Sequence, residues 1–184
     1  VNGTANLYIG NVVVAGLLRI NSQGLVGSLQ MGLSVGTDVL GKKVLDRTIF
    51  AINGTFQLEI NTTSTAQPIK TLDIAADGTV RGLKDGTIAA QTVRLMVGGS
   101  LSLLDIIVFK GRLELVFSSE GFQMTLDVFL DIGIGELEVH GAAAILNTAS
   151  EGPIFAMSIS TRAFLGVTTP IGRLGIEATA LIEM

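Results

Sequence analysis

Along residues 121–135, GFQMTLDVFLDIGIG, apolar and polar side chains alternate almost without interruption. Phe122, Met124, Leu126, Val128, Leu130, Ile132 and Ile134 fall on one parity, and Gln123, Thr125, Asp127 and Asp131 on the other. Period two is the mark of a β-strand with one covered face. About twelve residues at about 3.3 Å each span roughly 40 Å, twice the length of an ordinary strand. Gly133 and Gly135 bracket a change of parity, because Leu137 and Val139 are odd-numbered. That change predicts a turn or bulge, with a strand returning through 137–146.

The same pattern recurs along the chain. TFQLEIN (55–61), TVRLMV (92–97), GRLELVFS (111–118), LEVHGAAAIL (137–146) and IFAMSIS (154–160) all alternate or are rich in β-branched and aromatic residues. SLSLLDIIVF (100–109) also fits helical spacing, but strand-like segments flank it on both sides, so strand is the better reading.

Turns are spelled alike: NSQGL at 21–25, SSEGF at 118–122, ASEGP at 149–153 and, more loosely, AADGT at 75–79. Gly24, Gly121 and Gly152 would supply the positive φ that short hairpin connections need. Superposing Gly24 on Gly121 also aligns Ile20 with Phe117, Leu29 with Leu126, and Leu33 with Leu130. Hairpins of about thirty residues thus recur, with an interruption at 62–91. Asn2, Asn53 and Asn61 head Asn-x-Ser/Thr triplets, but Asn-Gly at 2–3 and 53–54 reads more readily as hairpin turns than as glycan acceptors.

The predicted fold is all-β: elongated antiparallel hairpin repeats forming a sandwich or a solenoid-like stack. It runs as one elongated domain over 1–184, a segment or subunit of a larger assembly. Its packing residues are Phe122, Met124, Leu126, Val128, Leu130 and Ile132.

Composition sharpens this picture. Hydrophobic residues make up 48% of the chain, charged residues only 15%, and mean hydropathy is +0.59. One way to reconcile so little polar surface with solubility is for both faces of the sheets to be covered, by a second layer or by neighbouring copies. The 23 Gly, 3 Pro and no Cys fit strands and turns and exclude a disulfide framework or thiolate metal sites. Asn2, Asn6 and Asn11, and then Asn21, Ser22 and Gln23, argue against spanning helices in the charge-poor N-terminal stretches. Starting at Val1 with no basic leader, the sequence reads as a mature segment or a piece of something longer. A net charge of −4 offers no basic field, so no nucleic-acid partner is expected.

Candidate chemistry is sparse. GTDVLGKK (36–43) approaches a P-loop, but Lys43 stands where the magnesium-binding hydroxyl belongs and a strand follows in place of a helix. GIGELE from Gly133 opens like a dinucleotide fingerprint, yet Glu138 replaces its third glycine. Glu136, Glu138 and His140 share a strand face at about 6.6 Å spacing, the best polar cluster for a metal or an acid–base pair. The bland reading, a solvated strand face opposite Leu137 and Val139, is preferred. Asp127 and Asp131, about 13 Å apart on one strand, need a neighbouring strand to bind calcium. No Cys, no nucleophile elbow and a single His leave little support for nucleophilic catalysis, so no enzyme is expected, and no cofactor.

GLLRINSQGLVGSLQ (16–30) and GTFQLEINTT (54–63) resemble segments of the giant repetitive surface proteins of bacteria, particularly the planctomycete type. The resemblance implies a secreted, non-enzymatic β-protein at the cell surface or in a fibre. The expected function is therefore structural, in an extracellular fibre, sheath or adhesin stalk, with copies of the same chain as partners. Two alternatives stand beside it: a lipid-carrying β-groove, and an outer-membrane barrel, which the lack of Trp and the single Tyr disfavour.

Overall fold

The computed structural model describes residues 6–38, 50–103, 107–148, 152–170 and 172–184. Every regular element among them is a strand. In chain order they are β1 (Asn6–Asn21), β2 (Gly24–Asp38), β3 (Phe50–Asn61), β4 (Gln67–Ile74), β5 (Val80–Ile88), β6 (Thr92–Leu103), β7 (Ile107–Ser118), β8 (Gly121–Asp131), β9 (Gly135–Thr148), β10 (Gly152–Thr169) and β11 (Gly172–Glu183). The chain is all-β and antiparallel, as the alternation predicts.

Nine strands form one sheet in the order β1-β2-β3-β6-β7-β8-β9-β10-β11, and β4 and β5 pair separately. The sheet is a meander with a single excursion. β3 pairs directly with β6, from Asn61 opposite Thr92 to Phe50 opposite Leu103, so the whole β4–β5 hairpin is an insertion between sheet neighbours. It coincides with the interruption legible at 62–91. Among the described residues, this hairpin alone forms a second layer over the sheet.

Because side chains of directly paired residues point to the same side, the register sorts the sheet into two faces. Gln57, Met96, Glu114, Thr125 and Ala142 lie side by side on one face. Phe56, Val97, Leu113, Leu126 and Gly141 lie side by side on the other. One face is mixed and polar, the other apolar from strand to strand.

The hairpin covers the polar face over β3 and β6. Gln57, Glu59 and Asn61 on β3 are fully buried beneath it, with Thr92 and Met96 of β6 and Leu72 and Ile88 of the hairpin. Burying amides and a carboxylate demands partners. The Asn61 side-chain amide donates to the carbonyls of Thr65 (2.9 Å) and Ala89 (2.8 Å), while its oxygen accepts from the Thr63 backbone N–H (3.0 Å) and hydroxyl (2.7 Å). Gln57 Nε2 donates to the Lys70 carbonyl at 2.6 Å. Arg94 Nε donates to Glu59 Oε2 at 2.7 Å, and Arg94 Nη2 to Thr71 Oγ1 at 3.3 Å. The hairpin tip rests on glycine: a Cβ on Gly98 would lie 2.7 Å from Ile74 Cγ2 and 2.9 Å from the Gly78 carbonyl oxygen.

Asn53 and Gly54 do not form the expected turn; they lie inside β3, opposite Ser34 and Leu33 of β2. The flanking apolar alternation continues through them, and Asn53 Oδ1 accepts from Ser34 Oγ at 2.7 Å. Asn2-Gly3 and most of the P-loop-like stretch at 36–43 lie outside the described residues.

Candidate functional site

Five of the proposed packing residues, Phe122, Met124, Leu126, Val128 and Leu130, share the apolar face of β8. Ile132 lies in the bend after it and is exposed. Gly133 has φ +80°, and the Ile132 N–H donates to the Gly135 carbonyl at 3.0 Å, so the change of parity is a tight turn into β9.

The turn glycines carry positive φ: +138° at Gly24, +133° at Gly121 and +79° at Gly152. At Gly24 there is a second constraint, since a Cβ would lie 2.6 Å from Thr62 Oγ1, the group that accepts the Leu25 N–H at 2.8 Å.

The apolar face is laid out in rows across the strands. One row passes through Phe56, Val97, Leu113 and Leu126, and another through Ile52, Leu101, Phe109, Leu130 and Leu137. Between them runs a row of small side chains: Gly54, Gly99 and Gly111 on adjacent strands, then Val128, Val139, Thr161 and Ala180. The result is a valley floored by backbone and walled by Leu, Ile and Phe. Around its glycine end the structure holds a cavity of about 340 Å³, lined by Ile52, Phe56, Leu101, Phe109, Leu113 and Val128 among others. None of the described residues covers this face: Leu58, Phe109, Phe117, Ile145 and Phe155 are all exposed on it, and Ile176 on the edge strand is 74% exposed. Phe117 and Phe122 pack their rings 4.9 Å apart at one end.

On the polar face, Asp127, Glu136, Glu138 and Glu177 each pair with a basic side chain. Asp127 on β8 sits between Arg112 of β7 and His140 of β9, accepting hydrogen bonds from Arg112 Nε and, at 2.6 Å, from His140 Nδ1–H. Burial pushes the Asp127 carboxyl up, but the hydrogen bonds from His140 and Arg112 and their charges outweigh it and hold the group below the usual carboxylate value. Toward the β11 edge, Arg162 Nε donates to Glu177 Oε1 at 2.9 Å, and Arg173 pairs with Glu136 while lying over the Phe164 ring. The Arg162 hydrogen bond holds Glu177 below its ordinary value.

Glu136, Glu138 and His140 do occupy one face of β9, but they do not converge. Glu136 turns to Arg173, Glu138 to Arg162 at 4.0 Å, and His140 to Asp127. Among the described residues no three His, Asp or Glu are placed to hold one metal ion. Among the described residues Asp127 and Asp131 likewise share no partner; the strands on either side of Asp127 bring it an arginine from β7 and a histidine from β9. Neither ion-pair cluster, Arg112–Asp127–His140 or Glu59–Arg94, is apparent in the sequence. Parity places each member on the polar face, but only the register brings them opposite one another.

No protein-family model, curated protein or solved structure matches this chain.

Proposed function

We propose that this chain is a non-enzymatic structural β-protein of an extracellular fibre, sheath or adhesin stalk, assembling through its strand edges and its apolar face. One observation carries the reading: a nine-stranded sheet with one predominantly apolar face, uncovered by any of the described residues, ends at β1 and β11, each hydrogen-bonded to a single neighbouring strand. Exposed apolar area on this scale marks an interaction surface, and open strand edges template further pairing. Away from the hairpin the polar face presents charged and polar side chains to water, which suits the outside of an assembly. Electron microscopy of the purified chain over rising concentration tests the reading. Regular filaments or sheets are expected; discrete particles of single-chain size at every concentration would overturn it.

A second reading rests on the valley. A trough of about 340 Å³ walled by Leu, Ile and Phe suits an acyl chain, making the protein a lipid carrier. Solvent extraction of the natively purified protein, with mass spectrometry of the extract, finds stoichiometric lipid under that reading and none under the first.

A further inference from the structure

The apolar face calls for one occupant, and area, chemistry and shape narrow the choice. A compact protein of 19.2 kDa exposes about 8,400 Å² by the ordinary scaling of surface with mass. This chain exposes 12,121 Å². The excess, about 3,700 Å² per chain, is shared between the two faces of the open sheet, and even half of it is about twice the roughly 800 Å² that each partner contributes to a standard stable interface. A bound acyl chain or two would leave most of the apolar face wet, whereas a second sheet of equal size would cover it.

The chemistry of the face favours the same partner. A small-molecule pocket sets a few polar groups among its apolar walls to orient the ligand. Among the described residues of the central rows, Thr161 is the one polar side chain on this face. A surface so evenly apolar suits another like it.

Shape supplies the third argument. The rows flanking the valley stand about 13 to 14 Å apart, four residues along a strand. Sheets that pack face to face interdigitate their inner side chains about 10 Å apart. The row Phe56, Val97, Leu113 and Leu126 is a ridge, and Gly54, Gly99 and Gly111 beside it form a groove, so the face carries both halves of such a contact. A two-fold axis lying in the interface, between ridge and groove and parallel to both, sets each ridge over the other copy's groove.

We infer that two copies of this chain stack apolar face to apolar face as a two-sheet sandwich, with both polar faces and both β4–β5 hairpins outward. This inference rests on the structural reading above and names its partner as the chain itself. Such a pair leaves β1 and β11 free at its sides, and assembly can then extend through those edges.

The test exploits an internal control. The chain has no cysteine, and Ala142, Ala143 and Ala144 are consecutive on β9, with Ala143 on the apolar face and its two neighbours on the polar face. The three variants Ala142→Cys, Ala143→Cys and Ala144→Cys are labelled with a maleimide under native conditions. Their mass is measured by sedimentation equilibrium, their strand content by circular dichroism, and any lipid by solvent extraction. The Ala143→Cys variant is expected to react at least about tenfold more slowly than the other two, because a sealed position labels only when the pair opens. The mass is expected to be an even multiple of one chain, with no lipid.

Three results would overturn the pairing. Equal labelling of all three variants at single-chain mass means the face is bare, and the structural reading falls with it. Rapid labelling of the Ala143→Cys variant in a multi-chain particle means copies join by their edges alone, which leaves the structural reading standing. Slow labelling at single-chain mass with extractable acyl lipid means the face holds lipid.

Discussion

Glu59 on β3 stands directly opposite Arg94 on β6, its carboxylate fully buried beneath the β4–β5 hairpin while Arg94 donates to it and to Thr71 of the hairpin. The arginine of an ion pair within the sheet thus also hydrogen-bonds the inserted hairpin that covers it. Replacing Arg94 by Met leaves the Glu59 anion buried without its partner. The expected cost is about 3–5 kcal/mol, whereas Glu59→Leu combined with Arg94→Met removes both charges and costs far less. Denaturant unfolding of the two variants, with the midpoint shift compared at a common slope, makes the check.

Asp127 makes stability depend on pH at the acid end. Its carboxyl titrates below the ordinary value of 3.8 in the folded chain, despite the opposing push of burial, because His140 and Arg112 hydrogen-bond to it. A depressed folded value means that the unfolded state binds the proton first as pH falls. The stabilisation is therefore complete above about 3.8 and is lost as pH drops from there through the folded value. Asp127→Asn is expected to flatten that acid limb while leaving Arg112 and His140 without their anion near neutrality. Thermal unfolding between pH 2 and 7, on variant and parent, separates the two effects.

Gly98 is the seat of the hairpin tip. A Cβ there meets Ile74 and the Gly78 carbonyl within 3 Å, so Gly98→Val forces the tip off the sheet, at about 1–3 kcal/mol for the overpacking. Limited proteolysis is the sensitive readout: cleavage within 75–79 is expected to accelerate while the strands on either side stay intact.

How much of this was legible beforehand follows from which interactions are local. The alternation through Phe122 and Leu130 exposes strand, face and length together, since each depends only on residues two apart. Gly24 and Gly121 declare turns because positive φ is a property of one residue. The interruption at 62–91 is visible as a break in repetition, but its folding over Gln57, Glu59 and Asn61 is not, because those side chains look like any solvated strand face until a distant hairpin covers them. Asn53-Gly54 misleads for a related reason. The dipeptide is a turn signal in isolation, yet here the flanking strand pairs on both sides and overrides it, and its glycine serves the valley. The partners of Asp127 lie on separate strands, so their meeting is a fact of register, which alternation leaves open.

The claim on which the account turns is that the apolar face, and not the polar one, holds copies together. Thr125 and Leu126 are chain neighbours on β8 that point to opposite faces, so a glutamate at either adds the same charge to one side or the other. Sedimentation velocity of Leu126→Glu and Thr125→Glu beside the parent decides the matter. The account predicts that Leu126→Glu collapses the particle toward the single 19.2 kDa chain while Thr125→Glu sediments like the parent; an unchanged particle in the Leu126→Glu variant would contradict it.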